Sequence, residues 1–242
     1  MDSEPNNSQE TLLVVPCFKE RLRLPRFLPE LCRTLEGSNT SVRILVVDDG
    51  SPPEEAAFLQ RYVEALRPRF SRLDEPLLLD ENQGKGGAIR AGWNTGDSFD
   101  RLAFVDADGA VSASEVGRVL ASDPADRVLL AIRDPKNAHS LERTLSRKAA
   151  AKLFNWLIRC RYDIDVPDTQ CGFKIVPGEF YRNARSELKQ CSYAFDLELI
   201  LAARKAGYEM DTIPVDWTEI PGSSTNAKEA LAFLKQLLQR SI

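Results

Sequence analysis

The chain of 242 residues has a single histidine, His139, and five cysteines, Cys17, Cys32, Cys160, Cys171 and Cys191, with no C-x-x-C pair among them. That scarcity argues against a zinc site built from Cys and His. An odd, dispersed set of thiols fits a reducing compartment, so a cytoplasmic location is expected. No apolar run approaches the roughly 20 residues of a membrane-spanning helix. The opening MDSEPNNSQE is polar and acidic, unlike a signal or transit peptide, and residues 1–10 read as a disordered N-terminus. A long basic run is missing too: 32 Lys and Arg against 36 Asp and Glu leave a net charge of −4 and a pI near 5.3. Broad nucleic-acid binding is therefore not expected, and a polyanionic substrate would need local cations or a metal. Two phosphate-binding signatures are also lacking. There is no G-x-x-x-x-G-K-[ST], and no G-x-G-x-x-G follows the first strand, which argues against P-loop and dinucleotide-binding folds.

What is present is a chain with 43% hydrophobic and 28% charged residues, enough for a full core. TLLVVP reads as a short apolar strand stopped by Pro16. RLPRFLPELCRTLEG then places Leu24, Phe27, Leu28, Leu31 and Leu35 at helical spacing, with Gly37 as the stop. VRILVV is a second buried strand, and Ser51 with Glu54 has capping-box spacing at the next helix, where Pro52 suits the first turn. Leu77 to Leu79 form a short third strand, and ENQGKGGAIRAGWNTG runs from a glycine loop into a helix. RLAFV and RVLLAI supply two more strands, with a second capping box at Ser112 and Glu115 between them. Further on, ERTLSRKAAAKLFNWLIRCRY reads as a long amphipathic helix, FKIVP as a strand, AFDLELILAARKAGY as a helix ended by Gly207, and EMDTIPVDW as a strand. Alternating strands and helices with near-continuous apolar strands predict an α/β fold, with a parallel or mixed sheet covered on both faces. Ligands of such sheets bind beyond the carboxyl ends of the strands.

Polar clusters fall at those ends. Asp106 and Asp108 in VDADGA share one side of an extended chain, because side chains alternate with period two. Two converging carboxylates make a hard-oxygen site for Mg²⁺ or Mn²⁺, which in turn holds a diphosphate; a solvated Asp-Gly turn is the plain alternative. Asp48 and Asp49 in VVDDGS also follow a buried strand, where a carboxylate can accept from a nucleobase N–H or a ribose hydroxyl. Lys85, among the glycines of NQGKGGAIRAG, is a cation near both acidic ends and suits a phosphate.

VVPCFKE, VVDDGS, NQGKGGAIRAG, VDADGA and DTQCGFK occur in the order and spacing of the inverting family-two glycosyltransferases. The chain resembles most the branch that makes dolichyl-phosphate glucose and dolichyl-phosphate mannose, over roughly residues 11–225. The resemblance implies a nucleotide-diphospho-sugar transferase fold of the GT-A type; with no internal repeat or obvious linker, residues 11–225 read as one domain, and residues 226–242 as a C-terminal amphipathic helix. It also implies a nucleotide-sugar donor, Mg²⁺ or Mn²⁺, and a polyprenyl phosphate acceptor. By the same resemblance Pro16, Phe18 and Glu20 flank the nucleoside, Asp49 reads the base with Asp48 beside it, and Lys85, Asp106 and Ala107 line the donor site. Asp106 and Asp108 match the metal-binding pair, and Asp168 the catalytic carboxylate. Arg133 and Arg147 resemble the arginines that hold the acceptor phosphate. VDWTEIPGSS matches a loop that closes on the site, but relatives carry a basic residue near Ser224, so that part of the expected grip on the diphosphate stays open.

Glycosyl transfer needs positive charge on a departing nucleoside diphosphate, and Lys85, a metal and an arginine would supply it. A phosphate acceptor is already ionised, so Asp168 is expected to orient rather than deprotonate. Two other readings remain at this level. DADGAV also resembles the nucleophile motif of haloacid-dehalogenase-type phosphohydrolases, although it lies on the fourth strand rather than the first. A non-catalytic sugar-nucleotide binder would use the same donor residues. The tail, with Leu231, Leu234, Leu237 and Leu238 on one side of a helix, packs on the core or rests peripherally on a membrane surface.

Overall fold

The computed structural model describes residues 9–122, 126–133, 158, 161–162, 164–192 and 194–220. Strand β1 (Thr11–Cys17) is followed by α1 (Leu24–Glu36), β2 (Val42–Asp48), α2 (Pro53–Leu66) and a two-residue edge strand, β3 (Leu77–Leu78). Then come α3 (Lys85–Trp93), β4 (Arg101–Val105), α4 (Ala113–Ala121) and β5 (Val128–Arg133). The remainder comprises β6 (Phe173–Pro177), α5 (Gly178–Ala184), α6 (Ala194–Lys205) and β7 (Met210–Val215). The seven strands form one sheet in the order β3-β2-β1-β4-β6-β5-β7. The pairings are parallel except at β6, which runs antiparallel to both β4 and β5. The mixed, mostly parallel sheet predicted from the apolar strands is thus observed, with buried residues packed on both faces.

Local chemistry explains most element boundaries. The apolar stripe of α1 is buried as its spacing predicts: Leu24, Phe27, Leu28, Leu31 and Leu35, joined by Cys32. Each such large side chain removed from water contributes about 1.5–3 kcal/mol. Pro29 inside α1 lacks the N–H that would bond the carbonyl four residues back. The Tyr62 hydroxyl donates to that carbonyl, Pro25 O, at 3.3 Å instead.

Two boundary readings need correction. Pro16 does not stop β1, which runs one residue further to Cys17. Pairing with β4 ends at Val14, so Pro16 sits where β1 has only the β2 neighbour and a missing N–H is tolerated. The capping box at Ser51 is not formed either. Pro52 is the N-cap of α2 and Pro53 begins the helix, while the Ser51 hydroxyl accepts from Lys19 N at 3.0 Å. A tertiary partner outcompetes the local one. At α4 the cap forms in half: Ser112 Oγ accepts from Glu115 N at 3.3 Å. The Glu115 carboxylate turns to Arg118 and Asp216 N rather than back to the cap. Of the helix read at the start of the second half only Ile158, Arg161 and Tyr162 are described, all helical, and the tail helix lies outside the described residues. The short helix α5 was not anticipated; its GEFYRNA carries no long apolar period.

Candidate active site

The carboxyl ends of β1, β2, β4 and β5 and the start of β6 share one edge of the sheet, because β6 alone is reversed. That edge collects most of the residues singled out by the sequence. Asp48 ends β2 and Asp49 follows it. Asp106, Ala107 and Asp108 follow β4, Arg133 ends β5, Asp168 precedes β6, and Lys85 opens α3. Pro16 and Phe18 lie at the end of β1, Phe18 exposed, with Glu20 just beyond. Arg147 and Ser224 lie outside the described residues.

At the β1–β2 end the carboxylates are held by neutral donors. Asp49 is 3% exposed; its carboxylate accepts from Gln83 N at 2.7 Å and from Asn82 Nδ2 at 3.0 Å. Burial raises its pKa against the backbone N–H groups of Gln83 and Gly84, which pull it down, and Asp48 adds to the rise. Expected to read a base, Asp49 ties the end of β2 to the loop before α3. Asp48, 1% exposed, accepts from Ser51 N at 3.0 Å through Oδ2, while Oδ1 is buried without a hydrogen-bond partner. That acid borders a depression lined by Glu20, Arg21, Ser51, Glu55 and Phe58. An orphaned buried oxygen is costly, so it is a natural acceptor for a ligand donor.

The β4–β6–β5 end is ionic. Lys85 Nζ lies 2.8 Å from Asp106 Oδ1 and 3.4 Å from Asp196 Oδ2. Asp106 N donates to Gly172 O at 2.9 Å, and a Cβ on Gly172 would fall 1.9 Å from Asp106 Oδ2. Only glycine in DTQCGFK allows that approach. Asp108 Oδ1 accepts from Ala110 N at 2.9 Å across Gly109, whose φ of 74° needs no Cβ. Arg133 and Asp168, expected to serve acceptor and chemistry separately, form one bidentate pair with Nε–Oδ2 2.6 Å and Nη2–Oδ1 2.8 Å. Burial would raise the Asp168 pKa, but the Arg133 hydrogen bonds and charge outweigh it and hold the carboxyl below its usual range. The guanidinium also lies 5.4 Å from the Trp217 ring. Trp217 belongs to the segment after β7, which bridges to Val111 and donates from Thr218 N to Ala110 O at 2.9 Å. The anticipated closing loop therefore begins by docking beside the Asp108 turn.

Sequence reasoning missed Lys174 and Asp196, which are buried beneath this end. The signal was a lysine within the otherwise apolar FKIVP and an aspartate in the apolar AFDLELI, both too charged for their surroundings.

The fit of a divalent cation rests on the donor set. Burial raises the Glu20 pKa against Arg23, and the charges of Asp108 and Asp106 add to the rise; burial likewise raises that of Asp106 against Lys85, with Asp108 and Asp196 adding to it. Glu20 is partly relieved by Arg23, at 2.7 and 2.5 Å. Hard carboxylate oxygens under like-charge stress suit Mg²⁺ or Mn²⁺. Among the described residues no group of three His, Cys, Asp or Glu side chains could enclose an ion unaided. Asp106 and Asp108 are the residues that would hold such a cation.

A mostly parallel sheet with one reversed strand, acidic strand ends and a lysine at the adjoining helix defines a nucleotide-sugar transferase of the GT-A fold. Its residues 12–184 match the model of glycosyl transferase family 2, and the chain belongs to that family. It is 30% identical over 225 residues to the dolichyl-phosphate beta-glucosyltransferase of Dictyostelium discoideum, covering 87% of this chain and 67% of that protein. The human dolichyl-phosphate beta-glucosyltransferase is 28% identical over 232 residues, covering 89% and 69%. A mannosyltransferase from Pyrobaculum calidifontis, solved with GDP-Man and Mn²⁺, superposes with a TM-score of 0.64 at 15% identity, covering 98% of this chain and 65% of that one. The chain thus spans about two thirds of the length of each of these three proteins. The glucosyl-3-phosphoglycerate synthase of Mycobacterium tuberculosis, solved with UDP, gives 0.60 at 13% identity, covering 95% and 78%. These structures share the fold. The phosphohydrolase alternative is not favoured by these matches.

Proposed function

We propose that the chain is an inverting, metal-dependent hexosyltransferase that moves a sugar from a nucleotide diphosphate, of the UDP-glucose or GDP-mannose type, to a polyprenyl phosphate such as dolichyl phosphate. The observation that carries the reading is the Lys85–Asp106 contact beside Asp108 on the carboxyl edge of the sheet. The relatives' names support the acceptor. The donor's nucleoside lies against the ends of β1 and β2, between Pro16, Phe18 and Glu20 on one side and the Asp48–Asp49 turn on the other. Asp106 and Asp108 hold the cation, which supplies positive charge to the departing diphosphate when bound. Lys85 adds a second cation to the same group. Arg133 presents its guanidinium to the acceptor phosphate from across the paired Asp168, and Arg147 is expected to join it. A phosphate monoester is ionised at neutral pH, so its oxygen attacks without a base. Asp168, with its depressed pKa, is a poor base and a good orienting partner for Arg133.

No helix among the described residues is long and apolar enough to cross a membrane. A lipid acceptor would be met at the membrane surface. Transfer of radiolabelled glucose from UDP-glucose, or mannose from GDP-mannose, to a short polyprenyl phosphate tests the reading. The β-linked product expected of inversion should form with Mn²⁺ and not with EDTA. Asp108→Ala should lower turnover about 100- to 1000-fold, the scale of losing a main electrostatic stabiliser. Equal transfer with EDTA, or a wild-type rate in Asp108→Ala, rules out the metal role.

A further inference from the structure

Two buried charges have no role assigned so far: Lys174, which ends DTQCGFK, and Asp196. Lys174, on β6, is 1% exposed; its ammonium donates to Cys171 O at 2.8 Å and to Asp196 Oδ1. Asp196, in the first turn of α6, is equally buried. Its second oxygen accepts no hydrogen bond and lies 3.4 Å from Lys85 Nζ, which meets Asp106 Oδ1 at 2.8 Å. The four groups alternate in sign from the core to the site. The ring of Phe104 lies against both ammoniums, 5.5 Å from Lys174 Nζ and 4.9 Å from Lys85 Nζ.

Stability alone is a weak reason for this arrangement, because desolvating a buried ion pair cancels most of its Coulomb attraction and an apolar pair would fill the space as well. The geometry gives a better one. Lysine is a point charge on a flexible four-carbon stem that loses much rotamer freedom when fixed. Asp196 offers Lys85 an anchoring anion from below, and the same segment holds the backbone of the neighbouring Gly86. Gly86 N donates to Cys191 O at 2.8 Å, and a Cβ on Gly86 would fall 2.5 Å from Phe195 Cβ. The ammonium of Lys85 and the backbone of the next residue, Gly86, are thus both met by residues 191–196, at and just before the start of α6.

We propose that Asp196, itself held by Lys174, is a positioning residue that sets the Lys85 ammonium beside Asp106 and so preorganises the anion-binding end of the site. This rests on the reading of Lys85 as a contact to the donor diphosphate. Misplacing such a group by about 1 Å costs on the order of 100-fold in rate.

The test is a double-mutant cycle on the full chain, with UDP-glucose and Mn²⁺ as donor, short polyprenyl phosphate as acceptor, and UDP affinity measured by calorimetry alongside. Asp196→Asn should lower kcat/KM for the donor about 10- to 100-fold, and weaken UDP in parallel. In a Lys85→Ala background the same substitution should add about twofold or less, because its effect passes through Lys85. An equal loss in both backgrounds would show that Asp196 acts independently of Lys85 and overturn the proposal. A Lys85→Ala variant with wild-type kcat/KM and UDP affinity would overturn both the proposal and the diphosphate reading beneath it, a different pattern. The exchange of Lys174→Met with Asp196→Leu removes the pair without stranding a charge, which guards against misfolding of the single variant. It should fold and still show the loss, and wild-type turnover in it would sink the idea.

Discussion

The two ends of the catalytic edge treat their carboxylates differently. At the β1–β2 end, Asp49 is held by a backbone N–H and a side-chain amide, and Asp48 keeps one oxygen without a partner. At the β4–β6–β5 end, Asp106, Asp168 and Asp196 each face a Lys or Arg. Neutral donors around a carboxylate suit a ligand that presents neutral N–H and O–H groups. Cations paired with carboxylates, as at Lys85 and Arg133, suit one that brings phosphate. On the proposed function, the β1–β2 end takes the nucleoside and the β4–β6–β5 end the phosphates.

The sharpest way to break that contrast is to strand a charge at the ionic end. Lys174→Met leaves Asp196 buried with only the more distant Lys85, and should destabilise the fold by about 3–5 kcal/mol, read from urea unfolding. A cost below about 1 kcal/mol would mean that solvent reaches Asp196. A second variant at the same end, Arg133→Ala, should cost about 2–3 kcal/mol at pH 7, because a hydrogen-bonded carboxylate loses its charged partner. Its pH dependence has a definite sign. The folded pKa of Asp168 is depressed, so its contribution is full above the unfolded value, near 3.9, and is lost as the pH falls through the folded value. The stability gap between wild type and Arg133→Ala should therefore be full where Asp168 is ionised in both folded proteins and shrink as the pH falls toward the depressed folded value of the wild type. A gap that widens in acid would contradict the pairing. The two serines make a smaller contrast. Ser112→Ala removes the N-cap of α4 and should cost about 1 kcal/mol. Ser51→Ala caps no helix, and should cost under about 0.5 kcal/mol while weakening the nucleoside end through the Lys19 loop.

The nucleoside end was largely legible in the sequence, and the phosphate end only in part. Helix α1 and strands β2 and β4 follow from local periodicity, and the aspartates after them fall where parallel strands place ligands. Lys85 and Asp106 were paired with one site for the same reason. Lys174 and Asp196 each stand out in an apolar stretch, but their pairing was not legible, because it depends on β6 inserting in reverse between β4 and β5, a non-local choice. The merging of Arg133 with Asp168 depends on the same insertion. Ser51 failed for a related reason: its capping spacing is sound, but a backbone N–H from the β1 loop reaches the hydroxyl first.

Calorimetric titration of uridine against UDP, with guanosine and GDP as the second pair, tests the division of the edge most directly. It needs wild type, Asp49→Ala and Lys85→Ala, each with Mn²⁺ present. Asp49→Ala, which releases the loop before α3, should weaken nucleoside and diphosphate by the same factor, on the order of 10-fold for about 1–2 kcal/mol of lost hydrogen bonding. Lys85→Ala should weaken the diphosphate by a similar or larger factor and leave the bare nucleoside unchanged. A Lys85→Ala variant that loses uridine or guanosine as much as UDP or GDP, or an Asp49→Ala variant that loses only the diphosphates, would contradict the account.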